Sequence, residues 1–178
     1  MLSDDQKRFV LDVARRAVFQ QVTGEIHPVR LDGCALPDAS GVFVTLKAAG
    51  ALRGCLGTLE CRGLEHDVAR CAADAASVDP RFDAVTPDEL AEIAIEVSVL
   101  GPLEEIDPAD TAAIEVGRHG LVVQDGRNKG LLLPQVPVEW DWSRETFLRQ
   151  TCVKAGLPGD AWTRGARVFR FEAEVFGG

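Results

Sequence analysis

Between residues 92 and 100 the chain alternates with a period of two. Ile93, Ile95, Val97 and Val99 fall on one side, and Ala94, Glu96, Ser98 and Leu100 on the other. Side chains two apart share a face of a strand, so this segment is expected to be a strand with one strongly apolar side. A sheet with such a face needs a second layer to cover it. Phe9, Val10, Val13, Ala14, Ala17 and Val18 recur at three and four, a helical stripe between a capping box at Ser3-Asp4-Asp5-Gln6 and a stop at Gly24. Leu64, Val68, Cys71, Ala72 and Ala75 mark a second helix ending near Asp79-Pro80. Ser143 caps a third that runs to Ala155, with Phe147, Leu148 and Cys152 inward and Gly156 at its end.

Residues 41–47, GVFVTLK, are β-branched and aromatic, and Ala49-Gly50 turns them into a second extended segment over 51–59, a hairpin. Residues 120–124 and 130–133 flank a connection over 125–129, longer than the tight two-residue type. Residues 168–176 read as a closing strand, and 25–40 as an irregular connection. Strands and helices are interspersed without strict βαβ alternation. The expected fold class is therefore α+β: a single domain over residues 1–178, of two lobes, with a mostly antiparallel sheet and flanking helices.

Composition narrows the function classes. The chain is 46% hydrophobic, which suits one globular core, and has neither low-complexity runs nor a fixed-period repeat. A formal charge of −9 with dispersed Lys and Arg argues against nucleic acid, which requires a dense basic face. MLSDDQKRFV lacks the pattern of a secretory signal, and no apolar run approaches the roughly 18 to 20 residues of a membrane span. The cysteines, Cys34, Cys55, Cys61, Cys71 and Cys152, are odd in number with no C-x-x-C pair, so the expectation is reduced thiols in the cytoplasm. His27, His66 and His119 form no metal-ligand spacing, and neither a metal nor a cofactor is expected. Phosphate-binding glycine loops and the Gly-x-Ser-x-Gly elbow are absent.

The densest candidate for chemistry is Leu52-Arg53-Gly54-Cys55-Leu56-Gly57-Thr58. On an extended strand Arg53 and Cys55 share a face, and a guanidinium beside a thiol favours the nucleophilic thiolate. Gly54 and Gly57 remove bulk, so that a ligand or another backbone can approach closely. The competing reading is structural: free cysteines are often buried, and strand glycines often mark bulges. His119, in Gly117-Arg118-His119-Gly120 at the mouth of a strand, is either a general acid–base group or a solvated turn residue. Arg81, in Asp79-Pro80-Arg81-Phe82, either binds an anion or is the solvated arginine of a helix-ending turn. Glu96 could pair with an arginine or serve as a base if its face meets the Arg53 segment. Gln135, in Pro134-Gln135-Val136-Pro137 before Trp140 and Trp142, could offer its amide to a ligand or simply turn the chain.

Together these segments resemble the AMMECR-type domain family, protein A of the AmmeMemoRadiSam system. The residues that carry the resemblance are GVFVTLKAAGALRGCLGTLE, DPRF followed by VTPDEL, IEVSVLGP, VGRHGL, GLLLPQVPVEWDW, FLRQTCVKAGL and the closing RFEAEVF, in order from Gly41 to the C-terminus. Leu56 stands where the family commonly has Ile. The resemblance implies an α+β domain of two lobes, with the LRGC segment in or near the cleft between them. It also implies partners, a Memo-like protein of the extradiol-dioxygenase type and a radical-SAM protein. Because Arg53, Cys55, Arg81, His119 and Gln135 fall within its motifs, the resemblance leads us to expect them around one cleft.

Two functions follow as expectations. In the first the chain is an enzyme or enzyme-system component acting on a small organic substrate. Cys55 and His119 would be catalytic, with Arg53, Gly54, Gly57, Arg81, Glu96 and Gln135 contacting substrate. In the second it is a non-catalytic subunit that binds a ligand or partner, with an apolar patch involving Trp140 and Trp142.

Overall fold

The computed structural model describes residues 2–26 and 34–177, so residues 27–33 of the expected irregular connection, His27 included, lie outside the described residues. The chain divides into two compact units. The first contains the residues up to Leu100 together with those from Glu174 onward, and the second contains Gly101–Ala173. Both combine helices with antiparallel strands, so the α+β class and the two lobes stand as expected.

In the first unit α1 (Asp4–Thr23) opens on the expected capping box. Ser3 Oγ accepts from the Gln6 amide at 3.2 Å, Gln6 Oε1 accepts from the Ser3 amide at 2.8 Å, and Gly24 ends the helix at φ 73°. β1 (Gly41–Ala48) and β2 (Ala51–Thr58) form the hairpin. Its turn residues, Ala49 and Gly50, both take positive φ, 50° and 79°, the pattern that matches the twist of paired strands. Then come α2 (Leu64–Ser77), a 3-10 turn (Pro87–Glu92) and β3 (Ile93–Leu100). β1 lies between β2 and β3, antiparallel to both.

Val42, Val44 and Leu46 of β1 and Ile95, Val97 and Val99 of β3 are buried in one core with Val10, Val13 and Val18 of α1 and Val68 and Ala72 of α2. Burying each such aliphatic side chain fully is worth roughly 1.5–3 kcal/mol, which is what holds the helices on this face. The opposite side of β3 is less simple than its sequence suggests, because Ser98 and Leu100 are buried as well.

The second unit contains β4 (Glu104–Ile106), a 3-10 turn (Thr111–Ala113), β5 (His119–Asp125), β6 (Asn128–Leu132), α3 (Gln135–Glu139), α4 (Arg144–Lys154), a 3-10 turn (Ala161–Arg164) and most of β7 (Arg167–Gly177). β7 pairs with β4 and with β5, and β5 pairs with β6, all antiparallel. The end of β7 belongs to the first unit, where it neighbours β3. α4 buries Phe147, Leu148 and Cys152 against Leu121, Val123 and Val168.

Two expectations are corrected here. The connection over 125–129 is not a long loop: Asp125 pairs with Asn128, leaving a two-residue turn whose first member, Gly126, takes φ 55°. A glycine at that position satisfies a tight hairpin turn without steric cost. The Pro134–Pro137 stretch does not merely turn the chain but opens a short helix, with Pro134 as its N-cap. No described helix is long and apolar enough to cross a membrane.

Candidate functional site

A one-residue step in register decides which way Cys55 points. From the turn, Ala48 pairs with Ala51 and Lys47 with Leu52, but Leu46 then pairs with Gly54. Arg53 is the extra residue, a β-bulge. Without it Cys55 would oppose Val44, whose side chain is in the core. With it Cys55 opposes Thr45, and Gly54 takes the core-facing place. A one-residue slip exchanges the two faces of a strand, so the bulge turns the thiol onto the side away from the helices.

On that side the register sets Cys55, Thr45 and Glu96 in a row across β2, β1 and β3. Thr45 Oγ1 donates to Cys55 Sγ at 3.3 Å, and Lys47 Nζ lies 3.0 Å from Glu96 Oε2. The row is thus a half-buried thiol, a hydroxyl and a Lys–Glu pair on adjacent strands.

The expected role of Arg53 is corrected by the same geometry. Its Nε and Nη2 donate to the two carboxylate oxygens of Glu89 at 2.7 and 3.1 Å, and Nη1 and Nη2 donate to the carbonyls of Asp83 and Ala84. Its guanidinium is committed to anchoring the bulge rather than standing free beside the thiol. Glu89 is held well below its ordinary range, at about 2, first by Arg53 and then by the Thr86 amide that it caps.

Of the two close approaches expected at Gly54, a ligand or another backbone, the structure shows the backbone. A Cβ on Gly54 would stand 2.2 Å from the carbonyl oxygen of Ala75 in α2, and one on Gly57 would stand 2.3 Å from the ring of Phe43. The space their missing side chains leave is filled by the chain itself. Glu96 pairs with Lys47 and not with an arginine.

Arg81 reaches Cys55 through the backbone. Asp79 accepts from the Cys55 amide at 2.9 Å, while Arg81 Nη2 donates to the Cys55 carbonyl at 3.2 Å. The two side chains also bind each other bidentately, at 2.9 and 2.7 Å. Asp79 is 2% exposed and Arg81 54%. The guanidinium, ahead of the amides, holds the Asp79 carboxyl far below its ordinary range against the opposing effect of burial. Asp79, Glu89 and Thr45 were not among the residues expected from sequence. The adjacency of Asp79 to Arg81 was its only signal, and Glu89 lies 36 positions from its partner.

His119 and Gln135 belong to the second unit. His119 is no solvated turn residue: it is 8% exposed and begins β5. Its Nδ1 accepts from the Glu115 amide at 2.9 Å, which leaves the proton of the neutral ring on Nε2. Burial first, then Arg170 and Arg118, push its pKa down, so the ring is neutral at neutral pH. Gln135, half-buried, opens α3, and its amide makes no hydrogen bond among the described residues. Beyond it Trp140 is 68% exposed, its ring 6.3 Å from that of Trp142, and Val138 is 58% exposed. Among the described residues no group of three or more His, Cys, Asp or Glu side chains is placed to hold a metal.

A sequence model of the AMMECR1 family matches residues 11–176. The chain belongs to the AMMECR1 family. A protein from Methanothermobacter thermautotrophicus is 45% identical over 98% of this chain and 95% of its own length. One from Thermococcus gammatolerans is 44% identical over 98% and 91%. The crystal structure of the uncharacterized protein PH0010 from Pyrococcus horikoshii superposes with a TM-score of 0.82 at 42% identity, covering 95% of this chain and 89% of that one. The AMMECR1 fold is therefore shared along nearly the whole chain, and the site must be argued from its own chemistry.

Proposed function

We propose that this AMMECR1 protein is a thiol-dependent enzyme, or the thiol-bearing component of an enzyme system, acting on a small organic substrate at the sheet face around Cys55. The observation that carries the reading is the bulge at Arg53, which brings the thiol out of the core and into line with Thr45, Glu96 and Lys47. The Thr45 hydroxyl donates to the sulfur and holds it in this row. Cys55 is the nucleophile or acid–base thiol, Glu96 a carboxylate for proton transfer, and Lys47 and Arg81 the cations for an anionic group. In the second unit His119 offers a neutral imidazole and Gln135 an uncommitted amide as further candidates. The resemblance to protein A of the AmmeMemoRadiSam system supports a Memo-like protein and a radical-SAM protein as partners in the cytoplasm. The formal charge of −9 argues against nucleic acid as a partner.

Alkylation of the native protein by iodoacetamide at neutral pH tests this. Burial pushes the thiols of Cys61, Cys152 and Cys71 up, that of Cys71 to about 11. Cys55 is expected to be modified ahead of all three, located by peptide mass. If it stays unmodified while Cys34 reacts, the thiol is out of reach and the enzyme reading falls.

A second reading has its own support. Val138 and Trp140, the latter stacked on Trp142, are exposed apolar side chains of the kind that a partner covers. A folded Cys55→Ser variant that retained full function in a reconstituted system with the two partners would favour this non-catalytic subunit.

A further inference from the structure

A cavity of about 600 Å³ lies within the first unit, between α1 and the start of α2. Val13, Ala17, Leu36, Leu64 and Ala69 give it apolar walls. Its volume falls within the roughly 300–1,000 Å³ of small-molecule sites. One wall also carries Arg16, which is half-buried. Among the described residues its guanidinium makes no hydrogen bond, ion pair or ring contact. The other cations of the same helix are engaged: Lys7 with Glu174, Arg8 with Asp5 and Arg15 with Asp12.

A guanidinium drawn partly out of water beside apolar walls is stabilised when a carboxylate meets its fork of N–H groups. Gly63, the N-cap of α2, lines the same cavity, but its amide and that of Arg62 already donate to the buried Asp67 carboxylate, so Arg16 is the group that offers positive charge. Glu65 also lines the cavity and opposes the charge of Arg16, which favours a single negative charge over a dianion. We propose that the cavity binds a small apolar molecule ending in one carboxylate. The carboxylate sits on Arg16, and the hydrocarbon lies against Val13, Ala17, Leu36, Leu64 and Ala69. The site is separate from Cys55 and stands whether or not that thiol is catalytic.

Octanoate, octanol and acetate, titrated in turn into the isotope-labelled full chain and followed by amide chemical shifts, test the proposal. Octanoate is expected to give saturable shifts confined to residues 13–20, 34–36 and 63–69, and to bind about tenfold or more tightly than octanol, the difference a charge-assisted pair supplies. Acetate is expected to give none over the same range. In Arg16→Gln the preference for octanoate over octanol is lost. Equal binding of octanoate and octanol by the unaltered chain, acetate binding as well as octanoate, or shifts absent or scattered over the surface would each overturn it. The preference is read in the unaltered protein, so the result does not depend on whether the variant folds.

Discussion

The β1–β2 and β5–β6 hairpins are built alike and finished differently. Each turns through two residues with a glycine in the left-handed region. Each has a glycine on its second strand pressed against the end of the covering helix. A Cβ on Gly54 would stand 2.2 Å from the Ala75 carbonyl oxygen, and one on Gly130 would stand 2.3 Å from the Ala155 amide nitrogen. In β5–β6 the register then runs without a step from Asp125–Asn128 to Leu121–Leu132. No ion pair among the described residues uses a side chain of β5 or β6. In β1–β2 the register steps at Arg53, and Glu89 holds the step in place. A helix can therefore be seated on a hairpin by a glycine alone. The bulge and its ionic anchors serve something other than packing, and their visible result is the direction of Cys55.

The largest effect is expected where the hairpins agree. Gly54→Ala and Gly130→Ala each force a methyl into helix backbone, and each should destabilise its own unit by about 1–3 kcal/mol or more, read from urea unfolding. A harmless Gly130→Ala beside a severe Gly54→Ala would show that the two contacts are not the same device. Next comes Arg53→Ala, which removes the anchor found in only one of them. The register should relax toward the unstepped pairing, in which Cys55 opposes Val44, and alkylation of Cys55 should slow several-fold. Unchanged labelling with a lowered unfolding midpoint would mean that Arg53 stabilises the bulge without orienting the thiol.

The smallest effect is in pH. Glu89 is held at about 2, chiefly by Arg53. For Asp67, burial pushes upward, but the Arg62 amide, the Arg70 guanidinium and the Gly63 amide outweigh it and leave the group at about 2. Both folded-state values lie below the ordinary 4.5 and 3.8, so their stabilisation is complete above about pH 5 and is lost as the pH falls toward 2. Amide exchange protection should consequently decline on acidification in β2 and residues 83–92 before it declines in β5–β6. Equal decline in both hairpins would remove the ionic distinction between them.

Much of the fold was legible because its signals are local. The alternation of 92–100, the stripe of α1 with its capping box, and the Ser143 cap each need only a few neighbouring residues to be read. The corrected features depend on distant partners. The glycines near Leu52-Arg53-Gly54 allowed a bulge, but its position and direction are defined against Leu46 and Lys47 on the other strand. Arg53 looked like a companion for Cys55 because its true partner is Glu89, and Gly54 looked vacant because Ala75 fills it from α2. His119 lies between glycines in sequence, yet pairing of β5 with β7 buries it. Sequence indicated which segments matter, while the role of each side chain within them awaited the register.

Asp79 and Arg81 occupy the amide and carbonyl of Cys55 that point away from β1, and β2 is the terminal strand of its sheet. Open groups on such a rim invite an extended peptide from another molecule to zip onto it. Here a carboxylate and a guanidinium already fill that position, so an incoming strand finds the groups of Cys55 taken and cannot pair there without displacing the clamp.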